Sequence, residues 1–202
     1  MRKQINSLFL IVLLFLSVNL ISSQQQKAKA AASVPLNITV NGSLVITDAS
    51  NDTMAGKDPT LNVNLSVTPD LGATTVSGAA NFRVRSNRNA WRVTAQRTAS
   101  NAGGTGIADT DVLVDIAKSA GTTANASAGT LVTPFTAQTN ISSITTAAAV
   151  DVISGTAKTS SMIDGNNTNN WFQVSTTYSI APDFFYSPGT YSTTVTYNLV
   201  SP

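Results

Sequence analysis

Val34-Pro35-Leu36-Asn37-Ile38-Thr39-Val40-Asn41-Gly42 places an apolar residue at every second position and then runs into a turn dipeptide. A period of two puts Val34, Leu36, Ile38 and Val40 on one face of a β-strand. Asn-Gly accepts the positive φ angles of a tight hairpin, so Leu44-Val45-Ile46 is expected to return beside it. The same period recurs downstream. Leu61, Val63, Leu65 and Val67 alternate with Asn62, Asn64 and Ser66, and the run stops at Pro69-Asp70. Phe82 and Val84 alternate with Arg83 and Arg85, and a polar turn at 86–89 leads into Trp91-Arg92-Val93. Further strands are expected over 111–116, 130–136, 150–156, 171–180 and 191–200. Helical spacing is scarce, and only the alanine-rich stretch 144–153 has room for one turn. Some nine strands with turn signals between them predict an all-β fold, a single antiparallel β-sandwich of Ig-like, Greek-key type.

Ahead of this region lies a leader. Met1-Arg2-Lys3 precedes the apolar run LFLIVLLFLSVNLI (8–21), and the small-x-small site Ala28-Lys29-Ala30 follows. These are the three parts of a secretory signal peptide, and the run is too short and too interrupted by Ser17 and Asn19 to span a bilayer comfortably. Residues 1–30 are therefore expected to be removed. Residues 31–202 would form the sandwich domain, secreted to the extracellular cell surface with no stable membrane insertion after cleavage. Four of the twelve basic residues leave with the leader, so eight positive charges face ten aspartates, a net of −2. The basic pI thus belongs to the precursor and is no argument for nucleic-acid binding. Low total charge tolerates close packing of many copies.

The chain contains no histidine, cysteine or glutamate. That removes the usual proton-transfer group near neutral pH, all thiol chemistry and most zinc ligands. No disulfide can form, and about 170 residues are enough to bury a core without one. Abundant Ser and Thr have no histidine to activate them, and only Lys57, Lys118 and Lys158 remain as bases of another kind. Asp109, Asp111 and Asp115, and the loop of Asp48, Asp52 and Asp58, are oxygen-rich enough to suggest calcium. Turn and cap use of Asp is the stronger reading. No catalytic site and no cofactor is expected.

Three features bear on binding. Arg83, Arg85, Arg88, Arg92 and Arg97 fall within fifteen residues. In a hairpin, Arg83, Arg85 and Arg92 would share one face, a stripe suited to an anionic polymer or to an acidic surface on a neighbouring copy. The bland alternative is a solvated sheet face. Trp171-Phe172 and Phe184-Phe185-Tyr186 offer sugar-stacking surfaces, although such residues more often cap a core. The strand Val34–Val40 lies just behind the cleavage site, free either to pair within its own sandwich or to add to an open sheet edge on another copy. In the second case residues 33–41 act as a donor strand, and repetition head to tail builds a filament.

Two resemblances attach to these segments. An alternating N-terminal extension, together with a closing strand that bears a tyrosine near its end (Thr193 to Leu199), resembles bacterial fimbrial subunits assembled by donor-strand complementation. That resemblance implies a fimbria-like or surface-layer subunit that self-associates, with Val34, Leu36, Ile38 and Val40 as anchors. It lacks the disulfide such subunits commonly carry. Trp91-Arg92-Val93 and Tyr197-Asn198-Leu199 resemble the paired Trp-x-Leu motifs of WxL-type surface domains of Gram-positive bacteria. This second resemblance implies Trp91 and Tyr197 as a wall-binding motif, with cell-wall polymer or carbohydrate as partner.

Overall fold

The computed structural model describes residues 35–202; Val34 and the leader lie outside them. The chain divides into a leading piece that ends at Val40 and a compact unit from Asn41 to Pro202. The compact unit is an antiparallel β-sandwich of nine strands: β1 (Leu44–Asp48), β2 (Val76–Ser86), β3 (Trp91–Arg97), β4 (Leu113–Ala120), β5 (Gly129–Leu131), β6 (Thr139–Asn140), β7 (Val150–Gly155), β8 (Phe172–Ile180) and β9 (Val195–Val200). One sheet has the order β1-β2-β8-β4-β6 and the other β5-β7-β3-β9.

Alternation decides which residues meet between the sheets. Phe82 and Val84 of β2, Val114 and Ile116 of β4, and Phe172 and Val174 of β8 point inward from one sheet. Trp91, Val93 and Ala95 of β3 with Val152 and Ile153 of β7 point inward from the other. Two consecutive inward residues on β7 would break a strict period of two. The register shifts there, with Val93 opposite Ile153 and Thr94 opposite Asp151, so Val152 is the extra residue of a β-bulge.

Trp91 is the largest fully buried side chain and needs space on the facing strands. Glycine provides it. A Cβ on Gly155 would sit 2.0 Å from the indole Cε2, and one on Gly129 would sit 2.7 Å from Cη2. The indole N–H donates to the Ala157 carbonyl at 2.7 Å, so the ring is buried without an orphaned donor.

Several expectations change. Residues 35–43 belong to no strand, and no Asn41-Gly42 hairpin forms; β1 pairs instead with the end of β2, Leu44 opposite Ser86. Asn87 holds the entry of the chain by donating to Asn41 O at 2.8 Å and accepting from Ser43 N–H at 2.7 Å. β2 and β3 form no hairpin either. They lie in opposite sheets, so residues 87–90 cross from one layer to the other. β2 starts at Val76, where the small residues Ser77 to Ala80 give no alternating apolar signal. No helical turn occurs over 144–153; a single 3-10 turn lies just before it, at Ile141–Ser143. The closing strand begins at Val195 rather than 191.

The strand pairing defines two ends. Ser86, Trp91, Phe172 and Val200 gather at one, here the Ser86 end. Val76, Arg97, Leu113, Ile180 and Val195 gather at the other, the Ile180 end.

Candidate functional site

Along one side of the sandwich the two sheets leave a seam. Among the described residues β9 pairs only with β3 and is the edge of its sheet. Across the seam, β1 reaches no further than Phe82 on β2, so Val76–Ala80 has β8 on one side and no ladder partner among the described residues on the other. Phe82 and Tyr197 face each other across the seam with ring centroids 5.1 Å apart. The Tyr197 and Tyr178 hydroxyls lie 3.0 Å apart, and burial pushes both phenols above their ordinary pKa, Tyr197 the further.

The segment 61–67 fills this seam. Its burial alternates as the sequence predicts: Leu61, Val63, Leu65 and Val67 are half-buried, while Asn62, Asn64 and Ser66 are exposed. Leu61 packs on the main core, and Leu65 and Val67 pack on a second cluster of Val112, Ile141 and Ile180. Gly78, at an inward position of β2, makes the close approach feasible. A Cβ there would lie 2.9 Å from both Leu65 Cδ2 and Val63 Cγ1. Yet the segment is not a strand of either sheet. Among the described residues, no hydrogen bond involves residues 59–69. It contributes side chains to the core and no rungs to a ladder.

The leading piece is the converse. Leu36, Ile38 and Val40 are 81%, 78% and 80% exposed. They keep the alternating pattern, and residues 35–40 belong to no strand. Val34, the fourth anchor, lies outside the described residues.

The arginines are dispersed rather than arrayed. Arg83 and Arg85 lie on the outer face of β2, and both bind Asp52, on the connection that follows β1. Arg83 also lies 4.0 Å over the Trp171 ring. Arg92 sits on the other sheet, paired with Asp151 at 2.7 Å, and Arg97 pairs with Asp109 at 2.6 Å. The expected stripe of Arg83, Arg85 and Arg92 is therefore not one surface, because β2 and β3 are not neighbours. The Arg85 hydrogen bonds, with those of Thr47 and Arg83, hold the Asp52 carboxyl far below the usual range against the opposing effect of burial.

Four of the six aspartates considered for calcium, Asp48, Asp52, Asp109 and Asp111, are engaged in other ways. Asp48 accepts from the Ser50 backbone and hydroxyl, and Asp109 accepts from Ser100, Tyr191 and Arg97. Among the described residues no group of three or more acidic side chains is arranged to hold a metal. Lys118 donates to the Ala126 and Gly129 carbonyls, and burial lowers its pKa.

Trp91 has no exposed surface, and Tyr197 is turned into the seam against Phe82. Trp91 is thus a core residue and Tyr197 a half-buried seam residue. Phe172 is likewise buried against Trp91, with ring centroids 6.0 Å apart. Large apolar groups instead stand exposed at the two ends: Leu71, Phe184 and Phe185 on connections at the Ile180 end, Met162 and Ile163 on the connection at the Ser86 end. No helix among the described residues is long and apolar enough to cross a membrane. No protein-family model matches this chain, and no curated protein matches it.

Proposed function

We propose that this chain is a secreted, non-catalytic structural subunit of a bacterial cell surface, fimbria-like or layer-forming, which self-associates by β-strand addition. One observation carries the reading: an alternating apolar segment, Leu36-Asn37-Ile38-Thr39-Val40, stands exposed, and within the sandwich β9 and Val76–Ala80 each keep one edge without a ladder partner among the described residues. Exposed apolar residues at strand spacing gain both burial and backbone hydrogen bonds by joining an open edge. The modest net charge of the mature chain adds little repulsion between copies. Binding of an anionic wall polymer through the arginines has less support, because Arg83 and Arg85 are both already engaged by Asp52.

The test is the double substitution Leu36→Asp with Ile38→Asp in the mature chain. Both side chains are exposed, so folding stability should change by less than about 0.5 kcal/mol. Sedimentation should show polymers for the parent and monomers for the variant. Polymers of equal size from both would refute strand addition by this segment.

A further inference from the structure

Two segments outside the ladders share one pattern. Leu36-Asn37-Ile38-Thr39-Val40 and Leu61-Asn62-Val63-Asn64-Leu65 match in apolar and polar order over five positions. The first copy is exposed, and the second fills the seam without hydrogen bonds to described residues. We propose that Leu61–Val67 is a displaceable occupant, and that the N-terminal segment of a second copy of this chain takes its place in the seam. The inference rests on the strand-addition reading and names its acceptor site.

Chemistry favours the exchange. The resident segment fills the seam with apolar side chains, but the edges of β9 and of Val76–Ala80 keep backbone groups unpaired among the described residues. An incoming segment with the same side-chain order satisfies the same apolar positions. In addition it brings free N–H and C=O groups to a ladder edge, which the resident does not use. In that alignment Ile38 takes the position of Val63 and Val40 that of Leu65. Gly78 then accommodates them as it does the residents.

Direction is consistent as well. The resident runs from the Ser86 end toward the Ile180 end, since Asp58 N–H donates to Ile46 O and Val67 packs with Ile180. An incoming segment in the same direction brings Val40 to the Ile180 end of the acceptor. The next residue, Asn41, begins the donor's sandwich at the donor's Ser86 end, where Asn87 grips it. The Ser86 end of one copy therefore meets the Ile180 end of the next, and the contact repeats without closing. Those are the two ends that expose Met162 and Ile163, and Leu71, Phe184 and Phe185.

A reversible lock tests this. The natural chain has no cysteine, so Val63→Cys with Gly78→Cys introduces a single pair. The 2.9 Å from a Gly78 Cβ to Val63 Cγ1 suits a disulfide. The oxidised mature protein should remain monomeric, and reduction of the same variant should start polymer growth, the comparison being between its two redox states. Oxidised protein that polymerises as fast as reduced protein would overturn the exchange while leaving strand addition at another edge. Absence of polymers from the parent would instead overturn the strand-addition reading itself. A second variant needs no new Cβ at Gly78: Val63→Ser with Leu65→Ser loosens the occupant and should speed polymer growth about tenfold, because a filled acceptor lowers the competent fraction. Unchanged or slower growth would overturn the proposal.

Discussion

Arg85 lays both terminal nitrogens across the Asp52 carboxylate, Nη1 2.7 Å from Oδ1 and Nη2 2.6 Å from Oδ2. Arg83 reaches Oδ2 at 2.9 Å, and the Thr47 hydroxyl donates to Oδ1 at 2.6 Å. One carboxylate thus ties the connection after β1 to the outer face of β2, two residues at a time. This fixes where the chain leaves β1 on its way to the seam.

Removing the charge of Asp52 should be costly at neutral pH and nearly harmless in acid. Asp52→Asn leaves two largely covered guanidinium groups short of an anion, a loss of about 2–4 kcal/mol. The folded carboxyl titrates far below the unfolded value of about 3.9, so its contribution is complete above that value and fades as pH falls toward the folded pKa. Urea midpoints should therefore separate parent and variant widely at pH 7, and the gap should narrow steadily below pH 4. A gap independent of pH would show that the ion pair is not the cause.

The arginines that the sequence groups together should behave as unlike residues. Arg92 pairs with Asp151 at a solvent-accessible site, with 47% and 34% of the side chains exposed. Arg92→Gln should shift stability by less than about 1 kcal/mol, and salt should erase the difference. Arg85→Gln should cost clearly more, since it strips the covered Asp52 of its bidentate partner. Thermal melts of the two single variants decide this, and equal losses would contradict it.

Gly155→Ala should be among the most damaging substitutions that add only one methyl group. The new Cβ would fall 2.0 Å from Trp91 Cε2 and 2.2 Å from Cδ2, against a ring fixed by its bond to Ala157. Overpacking of this kind should cost about 3 kcal/mol. A melting temperature within a degree or two of the parent would mean that the ring has room to move.

How far the sequence could be read depends on what kind of force sets each element. β3, β7 and β8 follow from apolar alternation, because burial between two sheets imposes a period of two on both faces. Val76–Ala80 carries no local signal, since Gly78 answers the close approach of Val63 and Leu65, a tertiary demand with no local pattern. The Asn41-Gly42 hairpin failed for a related reason. A turn dipeptide lowers the cost of turning, but β1 gains more by pairing with Ser86–Phe82, which brings Leu44 and Ile46 onto the core. The arginine stripe presumed neighbours that the crossing at residues 87–90 separates. The pattern in Leu61–Val67 correctly gave its buried face and could not reveal the missing ladder, because side-chain spacing carries no information about backbone partners.

Amide hydrogen exchange at Leu36, Ile38 and Val40, compared between isolated monomer and assembled material, tests strand addition most directly. Strand addition predicts fast exchange at all three in the monomer and protection in the assembly, with the protected amides falling on alternate residues where they enter a ladder. Equally fast exchange in both states would contradict it.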